Sequence, residues 1–281
     1  MNAATCLSFE FFPPKTAEGM ARLQQVRAAL AAFGPAFFSV TYGAGGSTRE
    51  PTLATVLALQ GAGVAVAPHL SFGGDDTDGV LALVDRYRAA GIRRLVALRG
   101  DLPSGVGGST QLVHANELVA LIRRHSGDHF QIHVAAYPEI HPEARSYADD
   151  IHWLGQKFAA GADAAITQYF YSADAYFYLV DACRRAGIDQ PIVPGIMPIT
   201  NYESLVRFSD RCGAEIPRWL RYRLADWGAD QASLRAFGTE VVARLSERLL
   251  SGGAPGLHFY TLNQAEATSA ILRALGRPES P

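Results

Sequence analysis

Ionisable side chains stand inside or directly after several short apolar runs of this chain. Glu10 is the most informative, because it lies inside Leu7–Phe12, where hydrophobic residues surround it on both sides. Burial disfavours the charged form of a carboxyl group, so we predict that the pKa of Glu10 is raised and that the residue donates a proton near neutral pH. An ion pair with Lys15 or an arginine is the alternative, purely structural role.

Other candidates for chemistry occupy equivalent positions. Asp101 follows an apolar run, and the preceding Gly100 lets the backbone approach a ligand closely. Asp101 is equally well explained as the cap of a turn before Pro103. His69 and His141 are candidates for contact with a cofactor. The histidines and cysteines lack the spacing of a metal site, so we expect no metal.

Eight short apolar runs, rich in β-branched and aromatic residues, alternate with longer stretches of helical periodicity. The runs are Cys6–Phe12, Phe37–Tyr42, Val64–Leu70, Arg94–Leu98, Gln131–Tyr137, Ala164–Phe170, Pro191–Ile196 and Gly256–Leu262. This alternation predicts an α/β protein with the (β/α)8 TIM-barrel fold, in which reactive groups gather at the carboxyl ends of the strands. The aromatic residues Phe9, Phe11, Phe12, Phe37 and Phe38 are expected in the core.

The intervening stretches predict the helices. They include 17–33, 76–90, 116–124, 172–186 and 265–275, and the segment 201–250 is long enough for two or three extra helices between strands seven and eight. No linker divides the chain, so residues 1–281 are expected to form a single catalytic domain. A doubly wound open sheet is the competing fold, but its GxGxxG fingerprint is missing after the first strand.

Composition narrows the range of partners. Lys+Arg number 25 against Asp+Glu 27, a formal net charge of −2, which leaves no basic surplus for nucleic acid or an anionic membrane. Three widely spaced cysteines favour a reducing compartment over a disulfide framework. We found no leader pattern and no apolar segment long enough to span a membrane, so a cytoplasmic protein is expected.

Several motifs, in order along nearly the whole chain, resemble those of methylenetetrahydrofolate reductase. They are Ser8–Lys15, Ser39–Ala44, Ala67–Leu70, Ala97–Pro103, Ala135–Glu139, Ile166–Gln168, Pro194–Pro198 and His258–Asn263. The chain length is similar to that of the bacterial form, a catalytic barrel without an added regulatory domain. The resemblance implies a flavoprotein oxidoreductase of one-carbon metabolism that supplies methionine biosynthesis.

The resemblance also implies a mechanism. NADH or NADPH would reduce FAD and leave, and 5,10-methylenetetrahydrofolate would then be reduced to 5-methyltetrahydrofolate. Glu10 would be the general acid that helps to open the five-membered folate ring, Asp101 would tune the flavin, and Thr41 would lie at the reacting face. Gln168 and Phe208 would join Glu10 in binding the folate or the nicotinamide.

Matching positions imply a set of FAD contacts. They are Thr41, Tyr42, Ala44, His69, Arg99, Gly100, Asp101, Tyr137, His141, Ala144, Asp150 and Lys157. The chain departs from the family pattern at His114, Trp153 and Gln156, where the family usually has Tyr, Asn and Arg, so we expect weakened FAD binding. Gln264 stands where the family usually has Arg. We therefore expect this chain to lack that cationic contact with the glutamate tail of the folate, or with another anionic ligand.

Two other functions fit the same residues. A flavin-independent reductase that transfers hydride directly from NADH to the folate is motivated by the departures at His114, Trp153 and Gln156. A barrel that binds folate or flavin without catalysis is the second, although the retained Glu10 and Asp101 argue against it. The sequence does not decide whether the protein forms a homo-oligomer or whether it uses NADH or NADPH. It also does not decide the physiological direction of the reaction.

Overall fold

The predicted barrel is confirmed by a computed structural model that describes residues 6–42, 49–72, 76–99, 114–228 and 230–279. Eight parallel strands pair in chain order, and β1 also pairs with β8, which closes the sheet. The strands are β1 Cys6–Phe11, β2 Phe37–Val40, β3 Val66–Leu70, β4 Arg94–Ala97, β5 Gln131–Ala136, β6 Ala164–Tyr169, β7 Ile192–Ile196 and β8 Gly256–Tyr260. Each lies within the corresponding predicted run.

The described helices alternate with the strands, as the periodicity predicts. They are α1 Ala17–Ala31, α2 Arg49–Gly61, α3 Thr77–Ala89, α4 Ala115–Ser126, α5 Tyr147–Ala159, α6 Ala173–Arg185, α7 Tyr202–Cys212, α8 Arg218–Trp227, α9 Gln231–Ser251 and α10 Ala265–Ala274. Three of them, α7 to α9, lie between β7 and β8, which confirms the extra helices predicted there.

Side-chain caps explain where several helices begin. Thr16 accepts a hydrogen bond from the backbone N–H of Gly19, and Asp76, Ser146, Asn201 and Asp230 cap their helices in the same way. Each cap satisfies a backbone donor that has no partner within the helix. Four of these caps begin helices that follow a strand, and Asp230 begins α9 after α8.

The core has two parts, because successive strand residues point to opposite faces of the sheet. Phe9, Phe11 and Phe38 are buried between the sheet and the helices. Phe37 packs in a separate cluster with Ala67, Val96 and Ile166, one residue from each of four strands, which places it inside the barrel.

The expectation that Phe12 joins the core is wrong. Phe12 follows the last residue of β1, and its side chain is 42% exposed. The apolar run continues beyond the point where the strand ladder ends, so this ring projects from the rim of the barrel.

A short latch joins the ends of the first and last strands. Asn263 adopts a left-handed backbone conformation with φ of 56°, which Asn tolerates better than most residues. Its side-chain amide donates to the carbonyl of Phe12 at 2.9 Å and accepts from the Phe12 N–H at 2.8 Å.

None of the described helices is long and apolar enough to cross a membrane.

Candidate active site

The carboxylate of Glu10 lies inside the barrel and faces two histidines. Its Oε2 atom is 3.3 Å from Nε2 of His69 on β3 and 3.6 Å from Nε2 of His258 on β8. All three residues are buried, and His258 has no exposed surface. Both contacts are within ion-pair distance, and neither imidazole N–H is aligned for a hydrogen bond with the carboxylate.

The predicted direction of the Glu10 pKa shift is wrong. Burial does raise the pKa, but the facing imidazoles of His258 and His69 outweigh burial and bring the pKa down to about 2. The alternative prediction, an ion pair of Glu10 with Lys15 or an arginine, is wrong as well, because the ionisable groups within ion-pair distance of its carboxylate are the rings of His69 and His258. Glu10 is therefore a carboxylate near neutral pH.

Polar contacts from β8 and the loop after it hold Glu10 in place. The hydroxyl of Thr261 donates to the backbone carbonyl of Glu10 at 2.6 Å. The hydroxyl of Ser8 lies 2.7 Å from Nδ1 of His258, the ring that faces the Glu10 carboxylate. Sequence reasoning missed His258. The signal that could have identified it is its position in the last predicted strand, two residues before Tyr260. Residues two apart in a strand point to the same face of the sheet, so two polar side chains face the barrel interior there.

Tyr260 occupies the same inner face of β8 and depends on a glycine in the neighbouring strand. Its hydroxyl donates to the carbonyl of Thr167 at 2.7 Å, and its ring meets that of His258 edge-on with centroids 5.4 Å apart. A Cβ atom on Gly195 would lie 2.6 Å from the Tyr260 ring and 2.1 Å from the Thr167 carbonyl. Gly195 therefore leaves the space that Tyr260 fills.

A cavity of about 520 Å³ opens beside this cluster, at the carboxyl ends of β2 to β5. Its volume is in the range of ligand sites. Seven of the predicted cofactor contacts line it together: Tyr42, Arg99, Tyr137, His141, Ala144, Asp150 and Lys157. Ser71, two residues beyond His69, also lines the cavity and brings it close to the Glu10 cluster.

The cavity lining carries three cationic side chains, Arg99, Arg145 and Lys157, and three acidic ones, Glu143, Asp149 and Asp150. Arg99 makes a two-pronged ion pair with Glu143, and one of its contacts is 2.9 Å long. Lys157 is held by a 2.7 Å hydrogen bond from Nζ to the carbonyl of Ala135, and burial lowers its pKa to about 8, so the ammonium form predominates near neutral pH. Arg145 is a further cation in the lining that sequence reasoning did not identify.

The loop after β5 is fixed by polar contacts. The backbone N–H of His141 donates to Asp150 at 2.8 Å, and Nδ1 of His141 accepts from the backbone N–H of Glu143 at 3.0 Å. Burial lowers the pKa of His141, and its ring packs edge-on against Tyr137. His141 is therefore placed at the cavity as a neutral ring near neutral pH.

Two of the three departures from the family pattern meet in this cavity. The rings of His114 and Trp153 stack with centroids 5.7 Å apart and planes 20° apart, and both line the cavity. Gln156 does not belong to this lining. It is exposed and lies in an adjoining groove between α4 and α5 with Arg124 and with Asn116, which lines both the groove and the cavity.

The remaining predicted residues occupy other parts of the structure. Thr41 follows β2 and donates its backbone N–H to the carbonyl of Phe11 at 2.9 Å. Gln168 lies near the carboxyl end of β6, where its side-chain oxygen accepts from the Tyr169 N–H. Phe208 on α7 is 40% exposed, and Gln264 is exposed at the start of α10.

Three predicted residues, Ala44, Gly100 and Asp101, lie outside the described residues. Within the part of the chain that is described, no group of three or more His, Cys, Asp and Glu side chains is placed to hold a metal ion.

Comparison with known proteins identifies relatives over nearly the full chain. A family model described as methylenetetrahydrofolate reductase matches residues 1–276. The 5,10-methylenetetrahydrofolate reductase of Escherichia coli K12 is 38% identical over 271 residues, which cover 96% of this chain and 90% of that protein. Methylenetetrahydrofolate reductase (NADH) 1 of Arabidopsis thaliana is 37% identical over 97% of this chain and 48% of its own length.

Solved structures share the fold. A Clostridium thermocellum protein described as binding two copies of 5-methyl-5,6,7,8-tetrahydrofolic acid aligns with a TM-score of 0.69 at 17% identity, covering 97% of this chain and 94% of its own. An oxaloacetate acetylhydrolase aligns with a TM-score of 0.55 at 14% identity over 97% of this chain and 81% of its own. At these identities the likeness establishes the barrel alone.

Proposed function

The chain belongs to the methylenetetrahydrofolate reductase family, and on that premise we propose that it reduces 5,10-methylenetetrahydrofolate to 5-methyltetrahydrofolate through bound FAD, in a ping-pong reaction with NADH or NADPH. Membership of the family makes it an oxidoreductase. A plant relative that bears NADH in its name favours NADH as the hydride donor.

One observation carries the proposal: an acid–base cluster and a cavity lined by both cationic and acidic side chains stand side by side at the carboxyl ends of the strands. Glu10 and His69 form the first, and Arg99 and Lys157 belong to the second. Reactions in (β/α)8 barrels take place at this end. A hydride-transfer enzyme that also protonates its substrate needs both a cofactor site and a proton carrier within reach of one another.

The donor set of the cavity fits FAD. Arg99, Arg145 and Lys157 supply positive charge for a diphosphate, and the stacked rings of His114 and Trp153 supply a flat surface for an aromatic ring system. When bound, FAD would take up hydride from the nicotinamide and deliver it to the folate carbon. The side chains of the cavity would hold and orient the cofactor.

The other proposed residues act on the folate. Glu10 takes up a proton and delivers it to the ring nitrogen whose C–N bond opens, and Gln168 hydrogen-bonds the pterin. Thr41 lies at the reacting face. Asp101 is proposed, on the family resemblance, to place a negative charge near the flavin ring.

Two exposed residues complete the proposed substrate contacts. Phe208 offers a ring for stacking on the nicotinamide or on the aminobenzoate of the folate, and its 40% exposure leaves the ring accessible. Gln264 would meet the folate tail as a neutral hydrogen-bonding group in place of the usual cation.

We further propose that residues 1–281 act as one catalytic domain on small-molecule substrates. All three cysteines are free, which supports a reducing, cytoplasmic setting.

The proposal is tested by an assay with NADH and methylenetetrahydrofolate in which FAD is titrated. Turnover that rises with FAD, together with absorbance of the purified protein at about 450 nm, supports the flavin route. Turnover that is independent of FAD would favour direct transfer from NADH. The loss of a family cation at position 156 motivates this alternative, although Gln156 lies outside the cavity lining. Folate binding without turnover would indicate a binding protein.

A further inference from the structure

Strand β6 carries one extra residue near its carboxyl end, where Gln168 lies. Ile166 pairs with Val193 of β7, but the next pair is Tyr169 with Gly195, so three steps along β6 match two steps along β7. Two residues of β6, one of them Gln168, therefore stand opposite a single residue of β7. Such a bulge breaks the regular alternation of the strand, and a bulge beside an active site can turn a side chain toward a ligand.

Side chains satisfy the backbone groups at this bulge. The backbone N–H of Gly195 donates to Oγ1 of Thr167 at 2.9 Å, and the carbonyl of Thr167 accepts from the hydroxyl of Tyr260 at 2.7 Å. The backbone N–H of Tyr169 donates to Oε1 of Gln168 at 3.0 Å. Thr167 has no exposed surface, so loss of its hydroxyl would leave a buried backbone donor without that partner.

The residues on both sides of Gln168 are anchored to other elements. Tyr260, which binds the Thr167 carbonyl, stands in register with Glu10 on β1, so this bond joins the strand next to Glu10 to the bulge. On the other side, the hydroxyl of Tyr169 lies 3.1 Å from the hydroxyl of Ser209 on α7. The backbone that carries Gln168 is thus held before and after this residue.

The bond from Tyr169 fixes the orientation of the Gln168 amide. A backbone N–H can only donate, so the amide atom that faces it is the oxygen. The NH2 group, with its two donors, is then the part of the amide that remains for a ligand. Gln168 is half-buried near the carboxyl end of its strand, which leaves the side chain accessible from the reactive end of the barrel.

We propose that Thr167 is a positioning residue, and that the bulge it holds presents the NH2 group of Gln168 to an acceptor atom of the folate. The inference rests on the proposed function, in which Gln168 hydrogen-bonds the pterin. The carbonyl oxygen and the unprotonated ring nitrogen of the pterin are acceptors of the required kind. Thr167 acts through Gln168, because its own side chain is buried and bonded to Gly195.

The test measures folate binding and flavin chemistry separately in the FAD-loaded protein. The flavin is first reduced with NADH and is then mixed anaerobically, by stopped flow, with increasing methylenetetrahydrofolate. Reoxidation gives an apparent dissociation constant for the folate and a maximal rate. Thr167→Val keeps the shape of the side chain but removes the hydroxyl. We expect the dissociation constant to rise about tenfold, while the maximal rate and flavin reduction by NADH stay within about threefold of wild type.

Two variants control for the loss of a buried hydroxyl. Thr167→Ser restores the acceptor for the Gly195 N–H, so its folate dissociation constant should return to within about twofold of wild type. Thr55→Val is the matched control, because Thr55 is a buried residue of α2 whose hydroxyl donates to the carbonyl of Pro51 at 2.7 Å. It should bind folate as the wild type does. Equal weakening in Thr55→Val and Thr167→Val would overturn the positioning role.

A double-mutant cycle tests whether Thr167 acts through Gln168. In a Gln168→Ala background, Thr167→Val should cause no further loss of folate affinity, because the residue that it positions is gone. Additive losses would contradict the proposal. Gln168→Glu keeps an oxygen for the Tyr169 N–H but, as a carboxylate, carries no donor. We expect it to weaken folate binding as much as Gln168→Ala does, and wild-type affinity would overturn the assignment of the NH2 group as the contact.

Tyr260→Phe keeps the proposal testable if Thr167→Val fails to fold. It removes the hydroxyl that binds the Thr167 carbonyl, so folate affinity should fall in this variant and should fall no further in the Gln168→Ala background. Wild-type folate affinity in both Thr167→Val and Tyr260→Phe would overturn the proposal. Wild-type affinity in Gln168→Ala would instead refute the role of Gln168 itself, and absence of turnover in the FAD-loaded wild type would refute the proposed function.

Discussion

The carboxylate of Glu10 lies 3.3 Å from Nε2 of His69, a contact between strands that are separated by β2 in the barrel. The contact crosses the barrel interior, where both residues are buried. Together with His258, this imidazole lowers the pKa of Glu10 and keeps it ionised near neutral pH.

Glu10→Gln should separate the two half-reactions. The substitution keeps the shape and hydrogen-bonding capacity of the side chain but removes its ability to take up and deliver a proton. We expect reduction of the flavin by NADH to stay within about tenfold of wild type and reduction of methylenetetrahydrofolate to fall by at least about 10²-fold, the usual contribution of general acid catalysis. Stopped-flow absorbance measures both. Equal slowing of the two reactions would make Glu10 a residue that positions the flavin.

Lys157→Met should weaken FAD binding. It removes a half-buried cation from the cavity lining while keeping most of the side-chain volume. A hydrogen bond to a charged group contributes about 1.5–3 kcal/mol, so the dissociation constant should rise roughly 10- to 100-fold. Titration of the purified protein with FAD measures the change.

Gln156→Arg is the matched comparison for that experiment. The family pattern by itself predicts that restoring Arg tightens FAD binding about tenfold. Because Gln156 is exposed and does not line the cavity, we expect the dissociation constant to stay within about twofold. A tenfold gain would show that an arginine at this position reaches the cofactor.

His133 should make the fold sensitive to mild acid. Burial lowers its pKa from 6.5 to about 4, so between these values the unfolded chain binds a proton that the folded protein does not. The free energy of unfolding therefore falls as the pH drops from 6.5 to 4, by up to about 3 kcal/mol at roughly 1.4 kcal/mol per pKa unit.

Chemical denaturation at several pH values tests this. His133→Leu should flatten the pH dependence across that window, whereas His152→Gln, at an exposed histidine, should leave it as in the wild type. An unchanged slope in His133→Leu would mean that other groups account for the acid sensitivity.

Asn263→Ala should loosen the latch between the first and last strands. It removes two hydrogen bonds to the backbone of Phe12 and puts Ala into a left-handed conformation that it adopts less readily than Asn. We expect a loss of about 2–3 kcal/mol of stability, measured by urea denaturation. Asn263→Gly, which relieves the backbone strain alone, should recover part of that loss. A wild-type midpoint for Asn263→Ala would show that the latch contributes nothing to stability.

The barrel and the position of Glu10 were predictable from the sequence, because both depend on local patterns. Apolar runs separated by helical periodicity define a parallel sheet, and a carboxyl group inside such a run is conspicuous without any partner. Strand ends were less predictable: apolar residues continue past the last ladder hydrogen bond, as at Phe12.

The charge state of Glu10 was decided by tertiary structure. Its two imidazole partners come from β3 and β8, and the closing of the barrel, which no local pattern encodes, brings them to the carboxylate. The same holds on α5, where Trp153 and Lys157 share a face toward the cavity while Gln156, one position away from Lys157, points into another groove. Spacing places residues on a helix face, but packing against the barrel determines which face meets the ligand.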